Sequence, residues 1–509
     1  MKCSTYIQQP ATHTERAGTM STTRAHRTTT RHGGARTHVA SSGPTGEQLR
    51  LAPASRTLAP SPTLEINEAI AARRAAGRDV LHLGFGEASF PLPPKLREAL
   101  AASATRTSYE PVVGIPALRD AIARYLSRTR GLDVSAEQVI VAPGSKPLLY
   151  ALFLMLAGDV LAPAPAWVSY APQARLAGRR VLVVETDPED AHRLTPRALD
   201  AAVARGRHAG ADPRILIINS PSNPTGGMFA REDVEALAEW ARRTGVTVLS
   251  DEIYAELAHG WRSHVSLATF YPEGTVVTGG LSKTYSAGGW RLGYAVVPAG
   301  AAGRKLLSAL RALSSEIWSS TSAPIQAAAV TAFSPDADLE TYVRRSARLH
   351  GYTTGRLRHA LVEMGVRCPR PAGAFYLYPD FAPFKAALAA RGVTTSEELA
   401  RYLLERHDIA ALPGTAFGDR PAALRLRLAT SMLYGGLPSV SPAQQGAQEG
   451  HDLADEHEAR LWALLERADE LADPISSTGS VEIELPMLDR VGQRFAAFVE
   501  SLGSVGASS

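Results

Sequence analysis

The sequence has little cysteine and no long apolar run, and each absence excludes a class of protein. Its two cysteines, Cys3 and Cys368, are too few for the disulfide framework of a small secreted domain. No apolar run reaches the length of about 18 residues that a spanning helix needs, so no membrane segment is predicted. We expect a cytoplasmic protein without a membrane partner.

Excess charge is also scarce. The net charge is +4, and the first sixty residues alone carry eight basic residues against Glu15 and Glu47. The rest of the chain is close to neutral, so no nucleic-acid partner is predicted. The composition is otherwise that of a globular protein, with 45% hydrophobic and 20% charged residues.

Residues 1–58 contain few large apolar side chains and are rich in Thr, Ser, Arg, His and Gly. Such a segment cannot bury enough apolar surface to offset the entropy of ordering it, so we predict a disordered leader. Two alternatives stay open. An Arg- and Ser-rich, acid-poor composition is also typical of organelle transit peptides, although no amphipathic helix is evident, and a start at Met20 would shorten the leader.

From about Pro60 onward, apolar β-branched runs alternate with segments of helical periodicity. The runs are "QVIVAPGS", "RRVLVVETD", "RILIINSP", "VTVLSDEIY" and "TVVTGGLSK". Buried parallel strands separated by helices predict an α/β fold, with a large domain whose mostly parallel central sheet is flanked by helices. Ligands of such a sheet bind beyond the carboxyl ends of its strands.

The pattern changes again near Gly300, where long helices and a smaller group of strands begin. "AFYLYPDF" and "LRLRLATS" are the strand candidates of a second, smaller α+β domain. The predicted organisation along the chain is a leader (1–58), a segment that contributes to the small domain (59–85), a large domain (86–320), a small domain (321–502) with a flexible insertion near 436–452, and a tail (503–509).

Several predicted strand ends carry unusual residues. Gly144, Ser145 and Lys146 form a turn of small residues before a helix, where backbone N–H groups could bind a phosphate. Trp167 follows a proline-rich turn, and Asn223 opens a Pro-Thr-Gly turn. Singly these features are weak, because Gly-Ser and Asn-Pro turns are common and a lone Trp usually packs in a core.

A second set of residues is charged or phenolic. Asp251 and Tyr254 follow the strand "VTVLS", and an Asp in an apolar strand end must be paired or exposed, with a structural ion pair as the alternative. Lys283 is one of six lysines among 54 basic residues; beside an apolar sheet edge its pKa would fall and its amine would become a nucleophile. Arg291 could bind a phosphate through two N–H groups.

Together these residues describe a pocket for pyridoxal 5′-phosphate. That cofactor needs a Lys for covalent attachment and an acid that keeps its ring nitrogen protonated. The protonated ring delocalises the negative charge left when an amino acid loses its α-proton. The prediction includes no metal.

The motifs "SNPTGG", "SDEIY" and "GLSKTYSAGGWRLG" occur in one order along the chain. From about Leu58 to Gly435 the chain resembles the class I/II aminotransferases of the aspartate aminotransferase fold, which are fold-type I pyridoxal-phosphate enzymes. The resemblance implies a ping-pong exchange of an amino group between an L-amino acid and a 2-oxo acid. It also implies a homodimer with shared active sites.

The resemblance assigns a role to each matching position. Lys283 is implied to bind the cofactor covalently and to carry the proton of the 1,3-shift. The implied cofactor contacts are Asp251 at the ring nitrogen, Asn223 and Tyr254 at the ring hydroxyl, Trp167 against the ring face, Gly144, Ser145, Lys146, Ser282 and Arg291 at the phosphate, and Tyr109 at the phosphate of the other subunit.

Three further positions are implied to contact the substrate. Gly86 would meet the substrate carboxylate with its backbone, and Phe375 with Tyr376 would lie near the substrate side chain. Arg425 would clamp the α-carboxylate. Arg427 is its rival, because residues two apart in a strand share a face; the spacing to "ATS" favours Arg425.

Departures from the family pattern keep other hypotheses open. "GEASFP" replaces the commoner Gly-Glu-Pro-Asp-Phe, and Gly280 stands where many members carry a hydroxyl, for which Ser282 could compensate. The second hypothesis is therefore another reaction of the same cofactor: a β-lyase, decarboxylase, oxidase or cyclising synthase. A non-catalytic regulatory domain is the third, although the leader lacks the periodicity of a winged helix. No G-x-G-x-x-G opens a helix after the first strand, which excludes a Rossmann dehydrogenase.

The identity of the substrate is not readable from the sequence. Trp318, in the segment 314–324 that the neighbouring subunit would contribute, suggests contact with an apolar or aromatic group. Arg262 and His264 would instead favour an acidic side chain, unless both lie on the solvated surface.

Overall fold

The computed structural model describes residues 60–260, 263–435, 447–471 and 483–503. The predicted leader, residues 436–446 of the predicted insertion, Arg262 and the predicted tail beyond Gly503 lie outside the described residues. Within the described ranges, no helix combines the length and the apolar character needed to cross a bilayer.

Twelve strands occur in the described part of the chain. In order they are β1 (Leu81–His82), β2 (Val139–Ala142), β3 (Asp159–Ala164), β4 (Val181–Glu185), β5 (Pro213–Asn219), β6 (Thr247–Asp251), β7 (Thr275–Gly280), β8 (Gly293–Val296), β9 (Tyr376–Leu377), β10 (Ile409–Ala410), β11 (Leu412–Pro413) and β12 (Leu426–Ala429).

The same residues contain fifteen α-helices. In order they are α1 (Pro62–Ala75), α2 (Pro94–Ser103), α3 (Pro116–Arg130), α4 (Ser145–Met155), α5 (Tyr170–Leu176), α6 (Pro196–His208), α7 (Arg231–Thr244), α8 (Leu281–Thr284), α9 (Gly300–Ile317), α10 (Ala323–Phe333), α11 (Ala337–Glu363), α12 (Lys385–Ala389), α13 (Ser396–His407), α14 (Ala447–Arg467) and α15 (Pro486–Gly503).

Seven of these strands form a central sheet in the order β2-β8-β7-β6-β5-β3-β4. The five strands from β7 to β4 are parallel to their neighbours, whereas β8 is antiparallel to both β2 and β7. The predicted α/β fold with a mostly parallel sheet is confirmed. Two smaller sheets, β11-β12-β9 and β1-β10, include the predicted strands near residues 376 and 426; the division into a large and a small domain stays a prediction.

Apolar side chains cover both faces of the central sheet. On one face, Leu148 of α4 and Leu310 of α9 pack with Ile217 and Leu249. On the other face, side chains of α6 and α7, Trp240 among them, pack against the alternate residues of the same strands. Because both faces are buried, the strands are continuous apolar runs without polar alternation.

Local sequence signals explain the ends of two helices. Helices α3 and α7 end at Gly131 and Gly245, which adopt the left-handed conformation that a helix C-terminus favours. The sequence did not reveal β3, whose "DVLAPA" includes a proline that normally argues against a strand, nor β8, whose four residues are too few for a pattern.

The register of the parallel strands determines which residues meet at their carboxyl ends. Asn219 of β5 pairs with Asp251 of β6, and Asp251 pairs with Thr278 of β7. Three polar residues therefore lie side by side at the edge where ligands of such sheets bind.

A buried ion pair anchors α3 to the end of β6. Arg130 Nη1 donates to Glu252 Oε2 at 2.6 Å, and the hydroxyls of Ser250 and Ser266 donate to Glu252 Oε1. Burial by itself would raise the pKa of Glu252, but the charges of His264 and Arg130 lower it to about 2. His264 is thus engaged with Glu252 and does not line the pocket described below.

We predict that Arg130→Met destabilises the fold strongly, because it leaves the Glu252 carboxylate buried without its guanidinium. Removing one partner of a buried pair costs about 3–5 kcal/mol. Urea unfolding at a fixed protein concentration measures the change. The matched control is Arg124→Met on the same helix, whose pair with Asp120 is exposed and is expected to contribute less than about 1 kcal/mol. Equal effects of the two variants would contradict the prediction.

Candidate active site

A pocket of about 360 Å³ lies at the carboxyl ends of β5, β6 and β7. Ten of the fourteen predicted site residues line it. They are Gly86, Ser145, Lys146, Trp167, Asn223, Asp251, Tyr254, Ser282, Lys283 and Arg291. The chain fold thus brings together residues as distant in sequence as Gly86 and Lys283, which are 197 positions apart.

Asp251 is a buried carboxylate held by two hydroxyls. Tyr170 donates to its Oδ2 at 2.7 Å, and Thr278 donates to its Oδ1 at 3.1 Å. Burial raises the pKa of Asp251 to about 6, although these hydrogen bonds act in the opposite direction. No cation pairs with Asp251 among the described residues, so the site offers a carboxylate that a cationic ligand would stabilise.

Asn219 positions the loop that carries Asn223. Its Nδ2 donates to the Asp251 carbonyl at 2.8 Å, and its Oδ1 accepts from the Asn223 N–H at 2.7 Å. Asn223 is almost fully buried, and its Oδ1 has no hydrogen-bond partner in the described part of the chain. A buried amide with an unused polar atom beside a pocket points to a missing ligand.

Lys283 lies in α8, directly after β7. Its Nζ donates to the Gly86 carbonyl at 2.7 Å and lies 6.0 Å from the centroid of the Tyr254 ring. Burial lowers the pKa of Lys283 to about 8, assisted by Arg427, Arg291 and Lys146 and opposed by Glu87. An amine with this pKa is partly neutral near physiological pH and can act as a nucleophile or base.

The N-terminus of α4 and the Arg291 guanidinium together form a candidate binding site for an anion, here called the anion seat. Gly144 has φ +101°, and a Cβ there would overlap the Arg291 guanidinium. A Cβ at Gly293 would overlap the Ser145 N–H, so two bare Cα atoms let strand, helix and guanidinium approach closely. The Lys146 ammonium lies over Trp167, with its Nζ 4.9 Å from the ring centroid.

Steric crowding explains why position 280 is occupied by glycine. A Cβ there would lie 2.7 Å from the Leu292 carbonyl oxygen, so no side chain with a hydroxyl fits. Ser282, two positions later, lines the pocket.

Arg425 does not line this pocket, so the structure does not bring it together with the other predicted site residues. Its Nε donates to Asp380 at 2.8 Å and its Nη1 donates to Asp419 at 2.9 Å. Arg427 lines the pocket instead, with only 3% of its surface exposed. Arg425 precedes β12, and an isolated bridge to Asp380 holds it there. For this reason the two residues lie at different positions relative to the pocket.

Phe375 is not among the residues that line the pocket, although its ring centroid lies 5.9 Å from Lys283 Nζ. It is fully buried and packs against His350 with ring centroids 4.9 Å apart. Its neighbour Tyr376 points into the pocket, as alternation along a strand requires. The predicted contact of Phe375 and Tyr376 with the substrate side chain stays a prediction.

Two predicted positions lie off the pocket for other reasons. Gly144 contacts Arg291 from behind the anion seat. Tyr109 is 91% exposed and does not reach the pocket of its own chain. Its predicted contact with a second subunit stays a prediction.

Sequence reasoning missed the residues that support the site from behind. Tyr170, Thr278 and Asn219 each bond to Asp251 or to the Asn223 loop. Thr278 and Asn219 occupy strand ends beside Asp251 and could have been found from an assumed register. Tyr170 could not, because its contact spans 81 residues between a helix and a strand.

Comparisons with known proteins agree with the fold. The family model described as aminotransferase class I and II matches residues 78–432. The aspartate aminotransferase of Geobacillus stearothermophilus is 37% identical over 393 residues, which cover 75% of this chain and 95% of that protein. The aspartate/prephenate aminotransferase of Cereibacter sphaeroides is 36% identical over 376 residues, 71% and 90% of the two chains.

A solved structure of this family also resembles the chain in its fold. The aspartate aminotransferase from Thermus thermophilus with maleate superposes with a TM-score of 0.68 at 30% identity, over 82% of this chain and 98% of that chain.

The lowered pKa of Lys283 predicts an unusual reactivity in the cofactor-free protein. Trace acetylation over a pH series, followed by peptide mass spectrometry, should give half-maximal labelling of Lys283 near pH 8, since only the neutral amine reacts. Lys95 is the internal control, because hydrogen bonds to Asp336 and Asp338 raise its pKa. Labelling of both lysines with one common midpoint would show that Lys283 is not in the environment described.

Proposed function

Because the chain belongs to the family of class I and II aminotransferases and is a transaminase, we propose that it uses pyridoxal 5′-phosphate to exchange an amino group between L-aspartate and a 2-oxo acid. The observation that supports the proposal most directly is the meeting of Lys283, Asp251 and Arg427 in one pocket. These side chains provide an amine, a buried carboxylate and a buried guanidinium.

The pocket residues fit this cofactor. Asp251 has a raised pKa and no cation beside it, and a protonated pyridine nitrogen would provide that cation. The amide of Asn223, with its unpartnered Oδ1, can rotate to donate an N–H to the phenolic oxygen of the ring. Tyr254 presents a hydroxyl to the same pocket. Trp167 also lines the pocket and would lie against the ring.

The anion seat fits the phosphate of the cofactor. The backbone N–H groups of Ser145 and Lys146 open an eleven-residue helix, whose dipole favours an anion at that end. Arg291 would add a bidentate contact, and Ser282 a hydroxyl. Tyr109, which is 91% exposed, would complete the phosphate site of a second copy of the chain, so the proposal includes a homodimer with shared sites.

When bound, pyridoxal 5′-phosphate acts as the electron sink for the bond that breaks at the amino acid Cα. Lys283 would move the proton at that carbon. Its pKa of about 8 lets the amine accept a proton and return it without leaving the physiological range. The Gly86 carbonyl, 2.7 Å from Nζ, would hold the amine at the mouth of the pocket.

Arg427 is the residue that would bind the α-carboxylate. It is buried, and its Nε has no partner in the described residues. Burial lowers the pKa of Arg427, and an anion bound beside it would offset that loss of solvation through a charge-assisted hydrogen bond. Arg425 is saturated by two carboxylates and has no such capacity.

The remaining polar groups of the pocket favour an acidic substrate side chain. The Lys146 ammonium lies over Trp167, and Ser61 and Thr63 at the start of α1 line the same pocket. A carboxylate would satisfy both the cation and the hydroxyls. The printed names of the relatives, aspartate and aspartate/prephenate aminotransferase, support aspartate as the first candidate.

The proposal predicts the first half-reaction. With L-aspartate alone, the visible absorbance of the cofactor-bound protein should shift to that of the aminated cofactor, and a 2-oxo acid should restore it. Lys146→Met should lower kcat/KM for aspartate by about 10-fold or more while that for alanine changes little, because only aspartate loses a charge-assisted hydrogen bond. Stopped-flow absorbance measures both rates.

Two outcomes would contradict this prediction. Release of ammonia or carbon dioxide without amination of the cofactor would favour the β-lyase or decarboxylase alternative. A Lys283→Ala protein with the same absorbance and rate as the unmodified protein would refute the assignment of the site.

The choice between the two arginines can be tested with matched substitutions. Arg427→Lys keeps the charge but loses the planar pair of donors, so kcat/KM should fall about 10- to 100-fold, mainly through KM. Arg425→Lys makes the same change outside the pocket and should alter kcat/KM less than about 3-fold. A larger loss from Arg425→Lys than from Arg427→Lys would contradict the assignment.

A further inference from the structure

Tyr376 contacts three parts of the site, yet the proposed reaction gives it no role. Its hydroxyl lies 2.7 Å from the hydroxyl of Tyr254, and both side chains are almost fully buried. It belongs to the two-residue strand β9, which pairs with β12. Its position is therefore fixed by backbone hydrogen bonds and not by side-chain packing alone.

Gly86 makes room for the Tyr376 hydroxyl. A Cβ at Gly86 would overlap the phenol oxygen and its ring carbons. The carbonyl of the same glycine accepts the hydrogen bond of Lys283 Nζ at 2.7 Å. The bare Cα thus allows one residue to hold the amine on one side and to contact Tyr376 on the other.

The ring of Tyr376 supports the Arg427 guanidinium. The guanidinium carbon lies 5.0 Å from the Tyr376 ring centroid and 5.3 Å from that of Phe417. Arg427 forms no ion pair within the described residues, and its Nη2 donates to the Gly84 carbonyl. Aromatic faces therefore provide much of the electrostatic stabilisation of this buried cation.

The two hydroxyls share a single hydrogen bond, and its direction matters. If Tyr376 donates to Tyr254, the proton of Tyr254 points into the pocket and can be donated to a ligand oxygen. If Tyr254 donates to Tyr376, the Tyr254 proton cannot also be donated to a ligand. An anionic oxygen beside Tyr254 selects the first arrangement, and a chain of two donors is stronger than one donor alone.

We propose that Tyr376 is a positioning residue of the transamination site: its hydroxyl makes Tyr254 a donor toward the phenolic oxygen of the cofactor, and its ring holds Arg427 ready for the substrate carboxylate. The inference rests on the proposed function, because it needs a cofactor oxygen that faces Tyr254. One tyrosine would then set both the protonation of the cofactor and the affinity for the amino acid.

Two variants test the role of the Tyr376 hydroxyl and the role of its ring separately. Tyr376→Phe removes the hydroxyl and keeps the ring, so the pH midpoint of the absorbance of the bound cofactor should rise by about 0.5 to 1 unit, the equivalent of one hydrogen bond. Its KM for aspartate should change less than about 2-fold. Tyr376→Leu removes the ring as well, and should also raise KM about 10-fold.

A double-variant cycle identifies the route of the effect. In a Tyr254→Phe background, Tyr376→Phe should leave the absorbance midpoint unchanged, because the donor through which it acts is gone. Tyr378→Phe is the matched control: its hydroxyl contacts Asp419 at 3.1 Å outside the pocket, and neither the midpoint nor KM should change.

Three results would overturn the inference. They are an unchanged midpoint in Tyr376→Phe, an equal shift in the presence and absence of the Tyr254 hydroxyl, and a KM of Tyr376→Leu that matches the unmodified protein. Failure of the proposed function gives a different signature, because the unmodified protein would then acquire no pyridoxal phosphate absorbance that depends on Lys283, and the inference would fall with it.

Discussion

The burial of one carboxylate, Asp251, is the constraint on which the site depends. A carboxylate at the end of an apolar strand must be hydrogen-bonded or neutralised, and the fold supplies hydroxyls from Tyr170 and Thr278 but no cation within the described residues. The pocket therefore presents a buried carboxylate to which a positively charged ligand could bind. Asn219 bonds to the Asp251 carbonyl and to the Asn223 loop. It therefore fixes the position of Asn223 relative to Asp251.

Close backbone approach is the second constraint. Side chains cannot be added at Gly86, Gly144, Gly280 or Gly293 without overlap with Tyr376, Arg291, the Leu292 carbonyl or the α4 N-terminus. The amine, the anion seat and the guanidinium are thus held by strands and helix ends in direct contact. Such a site is preorganised, because its polar groups need little movement to meet a ligand.

The two arginines near β12 show what spacing along the sequence cannot decide. Arg425 and Arg427 share a strand face by spacing alone, and both precede the same short motif. Their environments differ because Asp380 and Asp419, which lie 45 and 6 positions from Arg425, form ion pairs with one guanidinium only. Residues distant in sequence decide which of the two arginines forms ion pairs. The two-residue periodicity of a strand carries no information about those distant residues. Phe375 and Tyr376 pose the same problem, because the orientation of a two-residue strand comes from its partner strand.

The sequence by itself determined the alternation of apolar strands and helices, the glycines that end helices, and the order of Lys283, Asp251, Asn223 and Arg291 at strand ends. Those features are local, because they follow from residue type, burial pattern and spacing. Only the tertiary structure decided strand order, the choice of Arg427 over Arg425, the support of Asp251 by Tyr170, and the contact of Tyr376 with Tyr254 and Gly86. These depend on contacts between residues far apart in the chain, whose geometry is fixed by register and packing and is not encoded in any short stretch.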